Sequence, residues 1–170
     1  MGIYLNPKNV LFKRDVASEI YVDKTMLLSK LNKLVGTNEN YICVSRPRRF
    51  GKTMAASMIA AYYSKGCDSR ELFSTLKIAK DASFETNLNA FNVIQLDINA
   101  FYTNLKNEER NSLFDKLSRA VNAEIVAGFP DVGVDVNDSL GNAMLKVWAA
   151  TGETFILLID EYDVLVREKD

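Results

Sequence analysis

The chain has 170 residues, 48% of them hydrophobic and 25% charged, with a formal net charge of −1. That length suits one domain burying about 70% of its unfolded surface, and the near-neutral charge argues against a nucleic-acid binder that works through a broad basic field. Histidine is absent, which removes Ser-His-Asp and Cys-His catalysis and most zinc sites.

Residues 1–20 read as an extended, partly apolar leader without the basic region and apolar core of a signal peptide. Asp23 can cap a helix from Lys24, with Leu27, Leu31, Leu34 and Val35 at helical spacing and Gly36 at its end. The run Tyr21-Val22-Asp23-Lys24-Thr25 is therefore a helix start. Its functional alternative is that Tyr21 or Lys24 borders a nucleotide base.

Tyr41 to Ser45 is a short apolar run that predicts a buried strand. The turn Arg46-Pro47-Arg48-Arg49-Phe50 follows, then Gly51-Lys52-Thr53 and an Ala-rich helix from Lys52 to Tyr62. Strand, loop, Gly-Lys-Thr, helix is the layout of a P-loop. The free N–H groups of the first helical turn and the helix dipole favour phosphate there. Gly51 lets backbone approach the phosphate, Lys52 supplies a compact positive charge, and Thr53 can ligate a bridging Mg²⁺. Arg48 or Arg49 can add charge-assisted contacts to a triphosphate. The strict motif wants glycine five residues before Gly51, where Arg46 stands.

Cys43 and Cys67 match no metal or redox spacing, and Cys43 reads as a buried thiol in the P-loop strand. A reducing cytoplasm fits both cysteines, and no apolar run nears the ~20 residues that cross a bilayer, which gives the expectation of a cytoplasmic protein. Asp68-Ser69-Arg70-Glu71 reads as a capping box opening a short helix through Thr75, and residues 79–90 as loop. Asn92 to Ile98 alternates, which predicts a strand with one less buried face. Asp97 at its end is a solvated strand terminus, or a group approaching Mg²⁺. A helix over about 108–127 carries Leu113, Leu117, Val121 and Ile125 on one stripe, with Glu108, Glu109 and Arg110 on a solvated face. A second, over about 138–151, carries Leu140, Met144, Val147 and Trp148 inward, closed by Gly152.

Phe155 to Ile159 is apolar throughout, as in a parallel strand buried on both faces, and it ends in Asp160-Glu161. Carboxylates at the C-terminal end of such a strand sit where α/β sheets place ligands. Asp160 would hold the water shell of Mg²⁺, and Glu161 would polarise the attacking water as general base.

On Tyr21–Thr25, Ser45–Thr53 and Leu158–Asp163 the chain resembles the AAA-ATPase-like proteins of bacteria and archaea, close to the STAND-type signalling ATPases. The resemblance spans about residues 10–166. In that family Arg-Pro-Arg-Arg-Phe-Gly-Lys-Ser/Thr is the usual P-loop wording, which accommodates Arg46. It implies a single α/β domain, a three-layer αβα P-loop NTPase. Glu161 directly after Asp160 resembles the ASCE branch, which has an added strand and a catalytic glutamate. ATP binding with Mg²⁺-dependent hydrolysis is the implied function. The alternatives are a non-hydrolysing nucleotide switch or interaction module and, behind it, a small P-loop kinase. In the fold it resembles, a further strand inserts between the Asp-Glu strand and the P-loop strand. The expectation is a domain truncated after Asp160, self-associating through open strand edges. Relatives often carry a restriction-endonuclease-like domain farther along.

Overall fold

The computed structural model describes residues 2–45, 50–106, 110 and 112–164. The chain divides into two compact units, one spanning Lys8–Ala90 and the other formed by the N-terminal residues up to Pro7 together with the chain from Phe91 onward.

The Lys8–Ala90 unit is helical. It contains α1 (Val10–Val16), α2 (Met26–Asn32), α3 (Lys52–Tyr63), α4 (Arg70–Ser74), a 3₁₀ turn (Lys77–Lys80) and α5 (Phe84–Asn87). Aromatic rings tie these pieces together. Phe12 of α1 stacks on Phe73 of α4 with centroids 5.0 Å apart, and Tyr62 of α3 meets Phe73 edge-on at 5.4 Å. All three are fully buried, and rings of this size dominate a small core. The Tyr62 hydroxyl donates to the Phe84 carbonyl at 3.0 Å and accepts from Asn32 Nδ2 at 3.1 Å, so its polar end is satisfied inside the core. Burial raises the pKa of the neighbouring Tyr63 phenol, whose hydroxyl donates to Asn32 Oδ1 at 2.6 Å.

Asn89 closes the C-terminal end of α3. Its side-chain amide donates to the carbonyls of Ser64 at 2.7 Å and Ala61 at 3.2 Å, and its Oδ1 accepts the Ser69 N–H at 2.9 Å. These are carbonyls that a helix end leaves without partners. Asn89 does this from a left-handed backbone, φ 53°, which Asn tolerates better than most residues.

Several expectations are corrected in this unit. The leader is extended only through its first residues. Val10–Val16 is helical, its seven residues seating Phe12 in the core, a stripe too short to show a period. Residues 79–90 are not plain loop, because burial of Ile78 and Phe84 winds the 3₁₀ turn and α5. The α2 helix starts at Met26 rather than Lys24. Helix α4 starts after Ser69, and Asp68 Oδ1 takes the Arg70 N–H at 3.0 Å, so the expected capping box is replaced by a turn. Tyr41–Ser45 is not a strand. No ladder includes it among the described residues, and Tyr41 is 97% exposed. An apolar run becomes a strand only where another strand takes its N–H and C=O groups. Cys43 is accordingly exposed, not buried.

The second unit holds β1 (Asn92–Asp97), α6 (Ile98–Thr103), α7 (Leu113–Gly128), α8 (Leu140–Thr151) and β2 (Phe155–Asp160). Strands β1 and β2 pair in parallel, from Asn92 opposite Phe155 to Asp97 opposite Asp160. Parallel neighbours need a long crossover, and α6–α8 supply it. Mixed helices and a parallel sheet make this an α/β arrangement. The other edge of β1 is taken by the leader: Asn6 N–H donates to the Val93 carbonyl at 2.7 Å, and Gln95 N–H to the Tyr4 carbonyl at 2.9 Å.

Glu124 of α7 holds that leader in place. Its carboxylate accepts the backbone N–H groups of Ile3, Tyr4 and Leu5 at 2.8, 2.9 and 2.7 Å. The carboxylate fits because residue 2 has no side chain: a Cβ on Gly2 would lie 2.1 Å from Glu124 Oε2. The core beneath is built from Ile94, Leu96, Leu117, Val121, Ile125 and Val147, with Leu5 among them. Leu113, Leu117, Val121 and Ile125 are buried as their spacing predicts. Glu108 and Glu109, expected on a solvated face, lie outside the described residues.

Strand β1 has the less buried face its alternation predicts: Asn92, Ile94 and Leu96 are buried on one face, while Val93, Gln95 and Asp97 on the other run from buried to exposed. Other expectations fail here for geometric reasons. Strand β2 is not buried on both faces. Leu157 and Ile159 are 42% and 50% exposed, since alternate residues of a strand share a face and that face has no cover among the described residues. On α8 the buried positions are Ala143 and Val147, four apart, while Trp148 is 56% exposed. One residue is about 100° of rotation on a helix of 3.6 residues per turn, which turns Trp148 out of the stripe. Gly152, at φ 73°, ends α8 as expected. No helix of the described residues is long and apolar enough to cross a membrane.

Candidate functional site

Gly51 is the N-cap of α3 with φ 79° and ψ 30°, a left-handed conformation that glycine adopts without steric cost. Lys52 and Thr53 are the first two helical residues, and the first helical bond runs from Ala55 N–H to the Gly51 carbonyl at 3.0 Å. The N–H groups of Lys52, Thr53 and Met54 precede that bond, so they are donors the helix does not use. Thr53 is exposed. Among the described residues, a Cβ on Gly51 would find Lys24 Nζ at 3.5 Å, so a cation stands at this turn. Phe50 is exposed beside it. Arg46, Pro47, Arg48 and Arg49 lie outside the described residues.

A small apolar pocket adjoins this turn, lined by Phe12, Tyr21, Lys24, Gly51, Met54 and Met58 among others. Burial, with the charges of Asp23 and Asp15, pushes the Tyr21 phenol up to about 12. It stays a neutral wall near neutral pH. The segment leading into the pocket is clamped. Asp23 Oδ1 accepts the Thr25 N–H at 2.8 Å and the Thr25 hydroxyl at 2.6 Å, and its Oδ2 accepts the Lys77 N–H at 2.8 Å. Thr25, fully buried, accepts the Ile78 N–H at 3.2 Å. Asp23 is therefore a tie between α2 and the 3₁₀ turn rather than the cap of a helix starting at Lys24. Burial works to raise its pKa. The hydrogen bonds from Thr25 and Lys77, with the Lys77 charge, outweigh that and hold it below the usual carboxylate range.

The Asp-Glu pair belongs to the second unit. Asp160 ends β2 at the C-terminal end of the parallel sheet, opposite Asp97, which ends β1. Their chemistry differs. Asp97 Oδ1 accepts the Ala100 N–H at 2.8 Å and caps α6, so the strand-end reading of Asp97 becomes a helix cap. Asp160 Oδ1 accepts the Glu161 N–H at 3.0 Å. Glu161 has φ 52°, a left-handed conformation that costs a non-glycine residue about 1–2 kcal/mol. Strain of that kind concentrates at functional positions.

Among the described residues, no group of three or more His, Cys, Asp or Glu side chains could hold a metal ion.

The structure keeps Gly51, Lys52 and Thr53 together on one helix start and sets Asp160 and Glu161 together at one strand end. Lys24, read from sequence as a helix start or a neighbour of a base, ends at the Gly51 turn. Only the Asp-Lys-Thr wording pointed to it. Neither a curated protein nor a solved structure matches the chain. A family model described as a predicted AAA-ATPase matches residues 13–169. With Gly-Lys-Thr opening α3 and Asp-Glu ending β2 inside that match, the chain belongs to the AAA-ATPase-like family.

Proposed function

We propose that the chain binds ATP through the Gly51-Lys52-Thr53 turn and that the family activity it serves is ATP hydrolysis. One observation carries the reading. A glycine in the left-handed conformation opens α3 directly on Lys-Thr, which sets the first-turn N–H groups and an ammonium at one helix N-terminus. Lys52 would bind the outer phosphates, and Thr53 at the start of α3 and Asp160 at the end of β2 are each the residues that would ligate Mg²⁺. The metal, when bound, neutralises charge on the phosphates. Glu161 takes the proton of the attacking water, and its left-handed backbone supports that role. Arg46, Pro47, Arg48, Arg49 and Phe50 complete the phosphate loop in this reading. The three-layer P-loop sandwich is the fold we assign to the domain, and the parallel pair β1–β2 is the part of it that supports the assignment. Exposed Leu157, Ile159 and Trp148 favour self-association, which size-exclusion chromatography over a concentration series reads directly.

Calorimetric titration of Mg-ATP into wild type and Lys52→Ala tests the site. Losing a charge-assisted contact of about 1.5–3 kcal/mol predicts affinity lower by roughly 10–100-fold with an unchanged circular dichroism spectrum. Equal affinity in both proteins refutes the site. Turnover with Mg-ATP separates an ATPase from a non-hydrolysing switch, and transfer of labelled phosphate to anything but water marks a kinase.

A further inference from the structure

Lys24 stands at the turn that the proposed nucleotide site uses, and the ATP reading has given it no role. Its Nζ lies 3.5 Å from the Phe50 carbonyl oxygen and 3.5 Å from where a Cβ on Gly51 would be. The residues on either side of it are fixed. Asp23 is bonded to Thr25 and to the Lys77 N–H, and Thr25 is buried and bonded to the Ile78 N–H. The Lys24 side chain itself is exposed. So the backbone is clamped on both sides of a lysine whose ammonium reaches the N-cap of α3.

The contact it makes with protein is a poor reason for such a clamp. At 3.5 Å an ammonium and a neutral carbonyl are beyond the usual hydrogen-bond range, and ordering a lysine side chain carries an entropic cost. A phosphate oxygen is a far better partner, because a charged acceptor makes a shorter and stronger bond than a neutral one. Gly51, with no Cβ, puts no side chain of its own between Lys24 and the first-turn N–H groups of α3. We infer that Lys24 is a second phosphate-binding lysine of this site. With Lys52 it takes a nucleoside polyphosphate, while Asp23 and Thr25 act as positioning residues that aim it. This rests on the ATP-binding reading of Gly51-Lys52-Thr53.

The test titrates the full chain with Mg-ATP, Mg-ADP and phosphate-free adenosine at two salt concentrations. Wild type is compared with Lys24→Met, Lys24→Arg and Lys52→Ala, and Lys24→Gln stands in for Lys24→Met if the latter does not fold. The expected result is that Lys24→Met weakens Mg-ATP about 10-fold, leaves adenosine unchanged, and flattens the salt dependence of ATP binding. Lys24→Arg recovers part of the loss. Wild-type ATP affinity in Lys24→Met, alongside lost affinity in Lys52→Ala, overturns the role of Lys24 and leaves the nucleotide site standing. An equal loss for ATP and adenosine also overturns it, because Lys24 would then support only the Phe50 carbonyl. Failure of wild type to bind Mg-ATP or Mg-ADP refutes the nucleotide site, and this inference with it.

Discussion

Replacing Asp23 with Asn tests whether one carboxylate ties α2 to the 3₁₀ turn. Oδ1 accepts two hydrogen bonds from Thr25 and Oδ2 accepts one from the Lys77 N–H. An amide keeps one acceptor oxygen but turns the other position into a donor. If the oxygen stays with Thr25, the new NH₂ faces the Lys77 N–H, donor against donor. A hydrogen bond to a charged group contributes about 1.5–3 kcal/mol. Asp23 is only partly buried, so screening brings the expected loss to about 1–2 kcal/mol. For a chain of this size that lowers Tm by about 2–8 °C. The pH dependence has a definite sign. Asp23 has its pKa lowered from the ordinary 3.8. Its contribution is therefore complete above that value and is lost as pH falls through the lower folded value. Thermal melts of wild type and Asp23→Asn should differ by a constant gap from about pH 5 upward, and the gap should close below 3.8. Hydrogen exchange adds a local reading, since the Lys77 amide should lose protection first. Coincident melts at neutral pH, or a gap indifferent to acid, would refute the reasoning.

Glu161→Gln keeps the shape of the side chain and removes the base, so ATP binding should persist while turnover falls roughly 10²–10⁴-fold; undiminished turnover moves the catalytic role elsewhere, with Asp163 the next candidate. Glu124→Ala should release the N–H groups of Ile3, Tyr4 and Leu5, lowering stability by about 2–4 kcal/mol. Faster hydrogen exchange at those three amides is the check, and retained protection would count against the clamp. Asn89→Ala loses the bonds at the end of α3 and leaves in the left-handed backbone a residue that tolerates it less well than Asn, costing about 2–4 kcal/mol. Asn89→Gly should recover about 1 kcal/mol of that by relieving the backbone alone; urea midpoints that are equal for the two variants would show that φ at this position carries no cost.

Much of the helical structure was legible in the residues. Leu113, Leu117, Val121 and Ile125 repeat at the spacing that buries one side of a helix, and all four are buried in α7. Gly51-Lys52-Thr53 announced the start of α3, and Gly152 announced the end of α8. These are local instructions: a helix satisfies its own backbone, and glycine at a positive φ needs only its own missing Cβ. The family was legible too, because the run from Arg46 to Thr53 and the Asp-Glu strand end are short runs with fixed wording.

Strands and burial were decided elsewhere. Tyr41–Ser45 and Phe155–Ile159 are both largely apolar runs, yet only the second is a strand, because only it has β1 to exchange hydrogen bonds with. The exposure of Leu157, Ile159 and Trp148 follows from which faces the neighbouring elements cover, and no periodicity records that. The same holds for the polar ties. Glu124 meets the leader across more than a hundred residues, and Asp23 meets Lys77 across 54. Carboxylates look alike in sequence, and only the folded chain brings particular N–H groups to them.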